Sequence, residues 1–422
     1  MTALGTRQAP SAVPWLLAGP AQQAGAEPLA GHLARLGPCP PGSPGLIEAL
    51  ATSGLRGRGG ARFPTARKWT AVAQRARGRA VVVVNGAEGE PASWKDQLLM
   101  TFRPHLVLDG AMLAAESVGA ADIVLYVSSG APRAGEALAA ALSERGLPRR
   151  PRIQLVWAPA RYVAGEETAA VRFLNGGEAK PAVVPPRPFE RGVGGRPTLV
   201  QNVETLALTA LLARYGPAGW SHDPMLVTVR GAVAAPGVYE VARGARLDQV
   251  VGMAGGRPGD CAAVLLGGYF GAWIPGPAVG ALRLDEEGAA AAGVGLGCGV
   301  VLALPADACG VTETARAVTF LAGESAQQCG PCRLGLPALA GVLRRVADAR
   351  PERGDAERLQ RWTWQLGGGR GACKHPDGAV GLVGSALRTF AADFEDHLRG
   401  RPCRGRFGPP ALPVPGVGAG WP

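Results

Sequence analysis

Between residues 81 and 157 the chain alternates two hydrophobic periods, and that alternation restricts the fold more than any other feature. Residues 81–85 carry an uninterrupted run of four β-branched valines and Asn85, closed by Gly86. Such a run is apolar on both faces, as in a strand of a parallel sheet covered on both sides. Residues 105–119 then show helical spacing through Leu106, Leu113, Ala114 and Val118. A second strand pattern follows at 123–128, a second helix at 132–145 with Ala137, Leu138 and Leu142 inward, and a third strand at 153–157. Short-spaced strand–helix repetition predicts an α/β layer with parallel strands.

Around this segment the pattern changes. Residues 1–50 are rich in Ala, Pro and Gly and carry one weak helix at 29–36; they read either as an extension packed on the next domain or as a tail. The α/β pattern spans 51–222. Residues 223–312 hold short strands broken by Pro and Gly (225–229, 237–241, 263–266) and a helix at 247–254, a small α+β module. Residues 313–400 are helical, and 401–422 are Pro/Gly-rich and predicted to be disordered.

Composition removes some functional classes. Of 422 residues 47% are hydrophobic and 18% charged, which excludes global disorder. The net charge is +11, but its arginines are dispersed without a basic run, so no nucleic-acid partner is expected. No stretch reaches the roughly 18 apolar residues of a membrane span, so no direct insertion is expected. The N-terminal MTALGTRQAP has no signal-peptide pattern, which predicts a cytoplasmic location. Eight cysteines in that compartment read as thiols or metal ligands. Only four lysines occur: Lys68, Lys95, Lys180 and Lys374.

Four stretches carry chemistry. GLRGRGGARFPTARKW at 54–69 offers backbone N–H groups and positive charge suited to a phosphate. NGAEGEPASWKD at 85–96 sits at the carboxyl end of the first strand, where α/β sheets bind ligands. GEET at 165–168, Pro185–Pro186, GRPT at 195–198 and QNVET at 201–205 come next. Last is ESAQQCGPCR at 324–333, with Cys373 downstream. Cys329 and Cys332 alone would suit a redox or zinc pair; with Cys373 they suggest an iron–sulfur cluster.

Taken in order over residues 53–388, these motifs resemble the NADH-binding flavoprotein (F) component of respiratory complex I and its hydrogenase and formate dehydrogenase relatives. The resemblance implies an α/β Rossmann-like FMN domain, a β-grasp (soluble-ligand-binding) module and a C-terminal helical bundle carrying a [4Fe–4S] cluster. It places Gly57, Arg58, Gly59, Gly60 and Lys68 around FMN, with Asn85, Glu88, Asn202 and Thr205. It gives Glu166 and Glu167 catalytic positions beside the flavin, and Phe63 and Glu90 a part in holding NADH. It makes Cys329, Cys332 and Cys373 the metal ligands. Hydride would pass from NADH to FMN, and single electrons through the cluster to a ferredoxin-like or other iron–sulfur protein, or to a quinone-reducing partner. The chain would then be an NADH:acceptor oxidoreductase, peripheral to a membrane-bound complex or part of a separate reductase. A non-catalytic scaffold or relay is the alternative.

The chain also departs from the family. Ala326 stands where the family has its first cluster cysteine, Arg62 where it has glycine, Ala87 where it has aspartate, and Gln201 where it has asparagine. The cluster site is therefore left with a [3Fe–4S] cluster, a [4Fe–4S] cluster with a non-cysteine fourth ligand, another metal such as zinc, or none. Ser325, His375 and Cys403 are the candidate extra donors. Arg62 either blocks the nicotinamide site or binds a 2′-phosphate or another acidic partner. Cys309 reads as a free thiol and His397 as a filler.

Overall fold

The computed structural model describes residues 16–146, 150–220 and 223–415. The first 15 residues and 416–422 lie outside it, so the expectations for those ends apply only to their described parts. The chain opens with α1 (Leu29–Leu36), α2 (Pro44–Ser53) and α3 (Thr65–Ala76). Strand β1 (Ala80–Gly86) is followed by α4 (Lys95–Phe102), α5 (Pro104–Val118), β2 (Ala120–Ser128), α6 (Pro132–Arg145) and β3 (Arg152–Ala158). Then come α7 (Glu167–Leu174), β4 (Thr198–Asn202) and α8 (Val203–Tyr215).

These four strands form one sheet in the order β3-β2-β1-β4, with parallel pairings throughout. The valines of β1 explain the sheet's position. Val82 and Val84 enter a core with Leu106, Leu125 and Leu206, while Val81 and Val83 enter a second core on the opposite face with Val171 and Val200. Both faces are covered, which is why the strand reads as a continuous apolar run rather than an alternating one. Strand β4 was not foreseen, because its sequence runs directly into the cap of α8.

A second, mixed sheet follows, from β5 (Met225–Gly231), β6 (Gly237–Val241), α9 (Leu247–Met253), β7 (Cys261–Leu266), β8 (Ala272–Pro275), α10 (Glu286–Ala291) and β9 (Val300–Pro305). Its order is β6-β5-β9-β7-β8. Val229, Val264 and Val301 face one core; Leu265, Leu302 and Leu304 face another shared with the C-terminal helices. Those helices are α11 (Gly310–Glu324), α12 (Leu336–Ala347) preceded by a π-helical turn Pro331–Gly335, α13 (Asp355–Leu366), α14 (His375–Thr389) and α15 (Ala391–Leu398). Trp273 of β8 ties them down: its indole donates to Thr314 Oγ1 at 3.0 Å and its amide to Ser385 Oγ at 3.0 Å.

Both ends are packed over their described residues. Residues 16–50 are packed: the amides of Leu16 and Leu17 donate to buried Glu240, and Arg103 donates to the carbonyls of Leu17 and Pro20. The disordered tail predicted for 401–422 is ordered through 415. Leu412 is buried and its amide donates to Glu313 at 2.7 Å, and Ala411 and Val414 pack against the same core, so a few apolar residues dock this Pro/Gly-rich stretch.

One buried charge holds α1, α5, α6 and α8 together. Asp109 accepts from His32 (2.8 Å), Arg145 (2.6 Å) and Arg214 (2.6 Å). Against the opposing effect of burial, these partners hold its carboxyl down at about 2. Asp109→Asn should lower unfolding stability at pH 7 by about 3 kcal/mol, the cost of leaving partner charges unpaired. Because the folded-state value is depressed, that contribution is full above the ordinary aspartate range and lost as pH falls through about 2. In urea titrations the gap between wild type and variant should close in that acid window.

Candidate functional site

Strand order creates the site. β1 is flanked by β2 on one side and β4 on the other, so the chain reverses direction of winding between β1 and β4. A crevice opens beyond the carboxyl ends of strands at such a point. Here the two strand ends are Asn85 and Asn202, paired in register.

The glycine-rich loop covers this crevice. It is closed at its base by the Gly57 amide donating to the Phe63 carbonyl at 2.9 Å. The Arg58 amide donates to Thr205 Oγ1 at 2.9 Å, which ties the loop to the first turn of α8. A Cβ on Gly59 would lie 3.3 Å from Asn202 Cβ, whereas Gly60, at φ +101°, faces open space. The loop thus presents backbone to the crevice, which suits a phosphate or ring edge. The Arg58 guanidinium points elsewhere. It is buried against Asp223 (2.5 Å) and the Pro224 carbonyl (3.1 Å), so Arg58 serves the loop through its backbone.

Three hydrogen bonds close the rim. Lys68 Nζ donates to Glu167 at 2.7 Å, Asn85 Nδ2 to the Gly165 carbonyl at 2.8 Å, and Asn202 Nδ2 to Asp96 at 2.6 Å. Behind them Lys95 is buried between Asp96 (2.8 Å) and Glu204 (2.9 Å). Asp96 and Glu204 were not singled out from the sequence, although the Lys-Asp pair in the motif was the available signal. The two candidate catalytic acids separate here. Glu167 is partly exposed beside Lys68. Glu166 caps α7, accepting from the amides of Thr168 and Ala169 at 2.9 and 3.0 Å and from the Thr168 hydroxyl. Its carboxylate is committed to the helix start rather than presented to a substrate.

The acidic loop behaves likewise. Glu88 accepts from Ser93 Oγ (2.5 Å) and the Gln97 amide (3.1 Å) at the start of α4. Glu90 is turned inward: it accepts from Tyr162 Oη (3.0 Å), the Tyr269 amide (2.8 Å) and the Ala92 amide (3.2 Å). Burial pushes both acids up to about 7, with Asp96 adding to Glu88. The Glu90 carboxylate oxygens are engaged by two tyrosines and the loop. Phe63 stays half-exposed, with Arg67 5.9 Å from its ring centre, and is free to stack on a planar ligand. Arg62 does not project as an anion receptor. Its guanidinium donates to Glu286 of α10 at 2.8 Å and is largely buried. Gln201 points back into the core, accepting from the Trp69 indole at 3.3 Å. A cavity of about 330 Å³ continues along the carboxyl ends of β1, β2 and β3, lined by Glu88, Ser128, Arg161, Tyr162 and Glu324.

The cysteine segment docks beside this region. The Tyr162 amide donates to Glu324 at 2.9 Å, and Arg172 of α7 donates to Gln328 at 2.7 Å. Cys332 is buried in the π-helical turn. Burial raises its thiol, and the neighbouring Cys329 and Cys373 sulfurs raise it further, while Ser325 opposes them. Cys329 and Cys373 are half-buried near Cys332, and although the three sulfurs do not all lie within 4.8 Å of one another, three thiolates here would suit a soft metal centre, whose positive charge would offset their repulsion. Ala326 is buried at the position without a donor. Of the expected extra donors, Ser325 lies against Cys332, and its hydroxyl also donates to the Ala322 carbonyl. His375 Nε2 donates to the Leu321 carbonyl at 2.7 Å, and its Nδ1 has no hydrogen-bond partner among the described residues. Cys403 is not at this site: its sulfur groups with Cys309 and His397. No helix among the described residues is long and apolar enough to cross a membrane.

Comparison with known proteins agrees with this geometry. The family model "Nuo51 FMN-binding domain" matches residues 50–210, "SLBB domain" matches 226–266, and "NADH-ubiquinone oxidoreductase-F iron-sulfur binding region" matches 312–397. The F 2 subunit of the NADH-quinone oxidoreductase of Rhizobium meliloti (strain 1021) is 32% identical over 85% of this chain and 90% of its own length. The F subunit of the Streptomyces coelicolor enzyme is 32% identical over 85% of this chain and 84% of its own. Among solved structures, the NAD⁺-reducing [NiFe]-hydrogenase in its air-oxidised state is similar with a TM-score of 0.78 and 30% identity, over 95% of this chain and 68% of that one. The chain therefore belongs to the family of NADH-quinone oxidoreductase F subunits.

Proposed function

We propose that this chain is an NADH-oxidising flavoprotein that passes electrons from FMN, one at a time, through an iron–sulfur cluster to a partner. The observation that carries this reading is adjacency: the crevice and the three-thiol site share α7. Arg172 reaches Gln328 of the cysteine segment, and Glu166 is among the charges that raise the thiol of Cys373, after burial.

The chemistry that FMN supplies when bound is hydride uptake followed by release of single electrons. The chain's own groups do the rest. Gly57, Gly59 and Gly60 bring backbone N–H groups close to the ligand, and Lys68, steadied by Glu167, adds positive charge. Asn85, Asn202 and Thr205 fix the floor of the crevice, and Phe63 offers a stacking face for adenine. Cys329, Cys332 and Cys373 would hold the cluster as thiolates. Within this reading, 51–222 is the FMN/NADH-binding Rossmann-like domain, 223–312 a β-grasp module that docks its neighbours, and 313–400 the cluster-binding bundle. A ferredoxin-like or other iron–sulfur protein takes the electrons, in a peripheral position if the assembly is membrane-bound.

Anaerobically purified protein should show a flavin band that bleaches on adding NADH. Flavin that stays oxidised would remove the nicotinamide step, and absence of flavin would favour the scaffold reading. Asn202→Ala should weaken FMN binding about tenfold, the worth of one hydrogen bond to a charged group, as read by flavin retained per chain. Cys332→Ala should abolish retained iron while leaving flavin in place; unchanged iron content would refute the ligand assignment.

A further inference from the structure

Outside the site just described, the structure brings together a second set of soft donors. Cys309 Sγ, His397 Nε2 and Cys403 Sγ lie within 4.8 Å of one another. We propose that these three residues form a structural zinc site, separate from the Cys329/Cys332/Cys373 centre, that fastens the start of α11 to the end of α15 and to the C-terminal segment.

Each donor is prepared by its local structure. Cys309 is the N-cap of α11, and its sulfur accepts the Thr312 amide at 3.3 Å. A helix N-terminus favours thiolate over thiol. His397 is fully buried, and its Nδ1 lies 3.0 Å from the Val346 carbonyl. A carbonyl can only accept, so Nδ1 carries the proton and Nε2 presents its lone pair. In the metal-free structure that lone pair accepts the Cys403 amide at 3.2 Å and lies 3.6 Å from Cys309 Sγ, so an ion bound at Nε2 would displace the amide. Metal-ligating histidines are oriented in this way by a carbonyl on the far ring nitrogen. Cys403 arrives because the chain turns back after α15, with the Arg401 amide donating to the Asp396 carbonyl at 2.9 Å. Just beyond, a Cβ on Gly405 would collide with the Asp307 carbonyl oxygen, so the tail backbone is pressed onto the segment leading into Cys309.

The sulfur–nitrogen separation suits the edge of a tetrahedron around an ion with metal–sulfur and metal–nitrogen bonds of about 2.3 and 2.0 Å. Two thiolates and one imidazole select a borderline-soft divalent ion of the zinc type. The fourth position is open to a water, as at three-ligand zinc sites. On binding, two S–H protons leave to solvent and two Zn–S bonds and one Zn–N bond form, which neutralises the +2 ion. A catalytic cysteine–histidine pair is the rival reading of Cys309 and His397. It is disfavoured because both are buried, at 2% and 0% exposure, so a substrate has no approach.

The test is metal analysis of the full-length protein, purified without chelating resin, reading zinc and iron together. Wild type should retain about one zinc per chain. Cys403→Ser, at the half-exposed donor, and Cys309→Ser should each cut zinc at least tenfold with iron unchanged, and Cys332→Ala should do the reverse. Wild-type protein exchanged with Co²⁺ should show a thiolate-to-cobalt absorption band that Cys403→Ser diminishes. Reduced wild type that neither retains zinc nor takes up added Zn²⁺ would overturn the proposal. So would zinc retained undiminished by both variants, or a Cys309–Cys403 disulfide in the anaerobically purified protein.

Discussion

Everything near the crevice rests on a buried charge network. Lys95 sits between Asp96 and Glu204, Arg58 reaches Asp223, and Asp96 in turn accepts from Asn202. Glu204 also accepts the Leu226 amide at 2.8 Å, so the network reaches the first strand of the second sheet. Buried ion pairs add little net stability, because desolvation offsets their attraction, but removing one partner is costly. Their value here is positional. One cluster of charges fixes the glycine-rich loop, the helix after the acidic loop, the helix after β4 and the second sheet relative to one another.

That arrangement explains which parts were legible in the sequence. The valine run of β1 and the helical spacing after it declare a covered parallel sheet, because burial on both faces leaves no other composition. The triplet Cys329, Cys332 and Cys373 is legible because two of its members share one turn. Strand β4 was hidden: Asn202 both ends the strand and caps α8, so its few residues carry no separate signal. The surroundings of Glu90 are hidden for a different reason: a carboxylate in a loop motif gives no sign of its partners, and only the fold shows Tyr162 and Tyr269 bonded to it.

Cys309, His397 and Cys403 show the limit of spacing arguments. No motif links a residue at a helix start to two near the end of the chain. Read singly, they are a buried thiol, a filler histidine and a tail cysteine. They acquire chemistry only when α15 folds back beside α11 and the tail returns over Asp307. The same return explains why a Pro/Gly-rich tail is ordered, since Leu412 is buried and Glu313 takes its amide.

Arg62 has a consequence for modularity. It holds a left-handed backbone at φ +47°, a conformation that costs a residue with a side chain about 1 kcal/mol or more, and its guanidinium is tied to Glu286. Glu286 belongs to the second sheet's helix, well beyond the 50–210 segment that corresponds to the FMN-binding family model. The glycine-rich loop is thus shaped partly by a residue its own segment does not encode. The nucleotide crevice of this chain is a property of two modules acting together, and neither would carry it intact into a different protein.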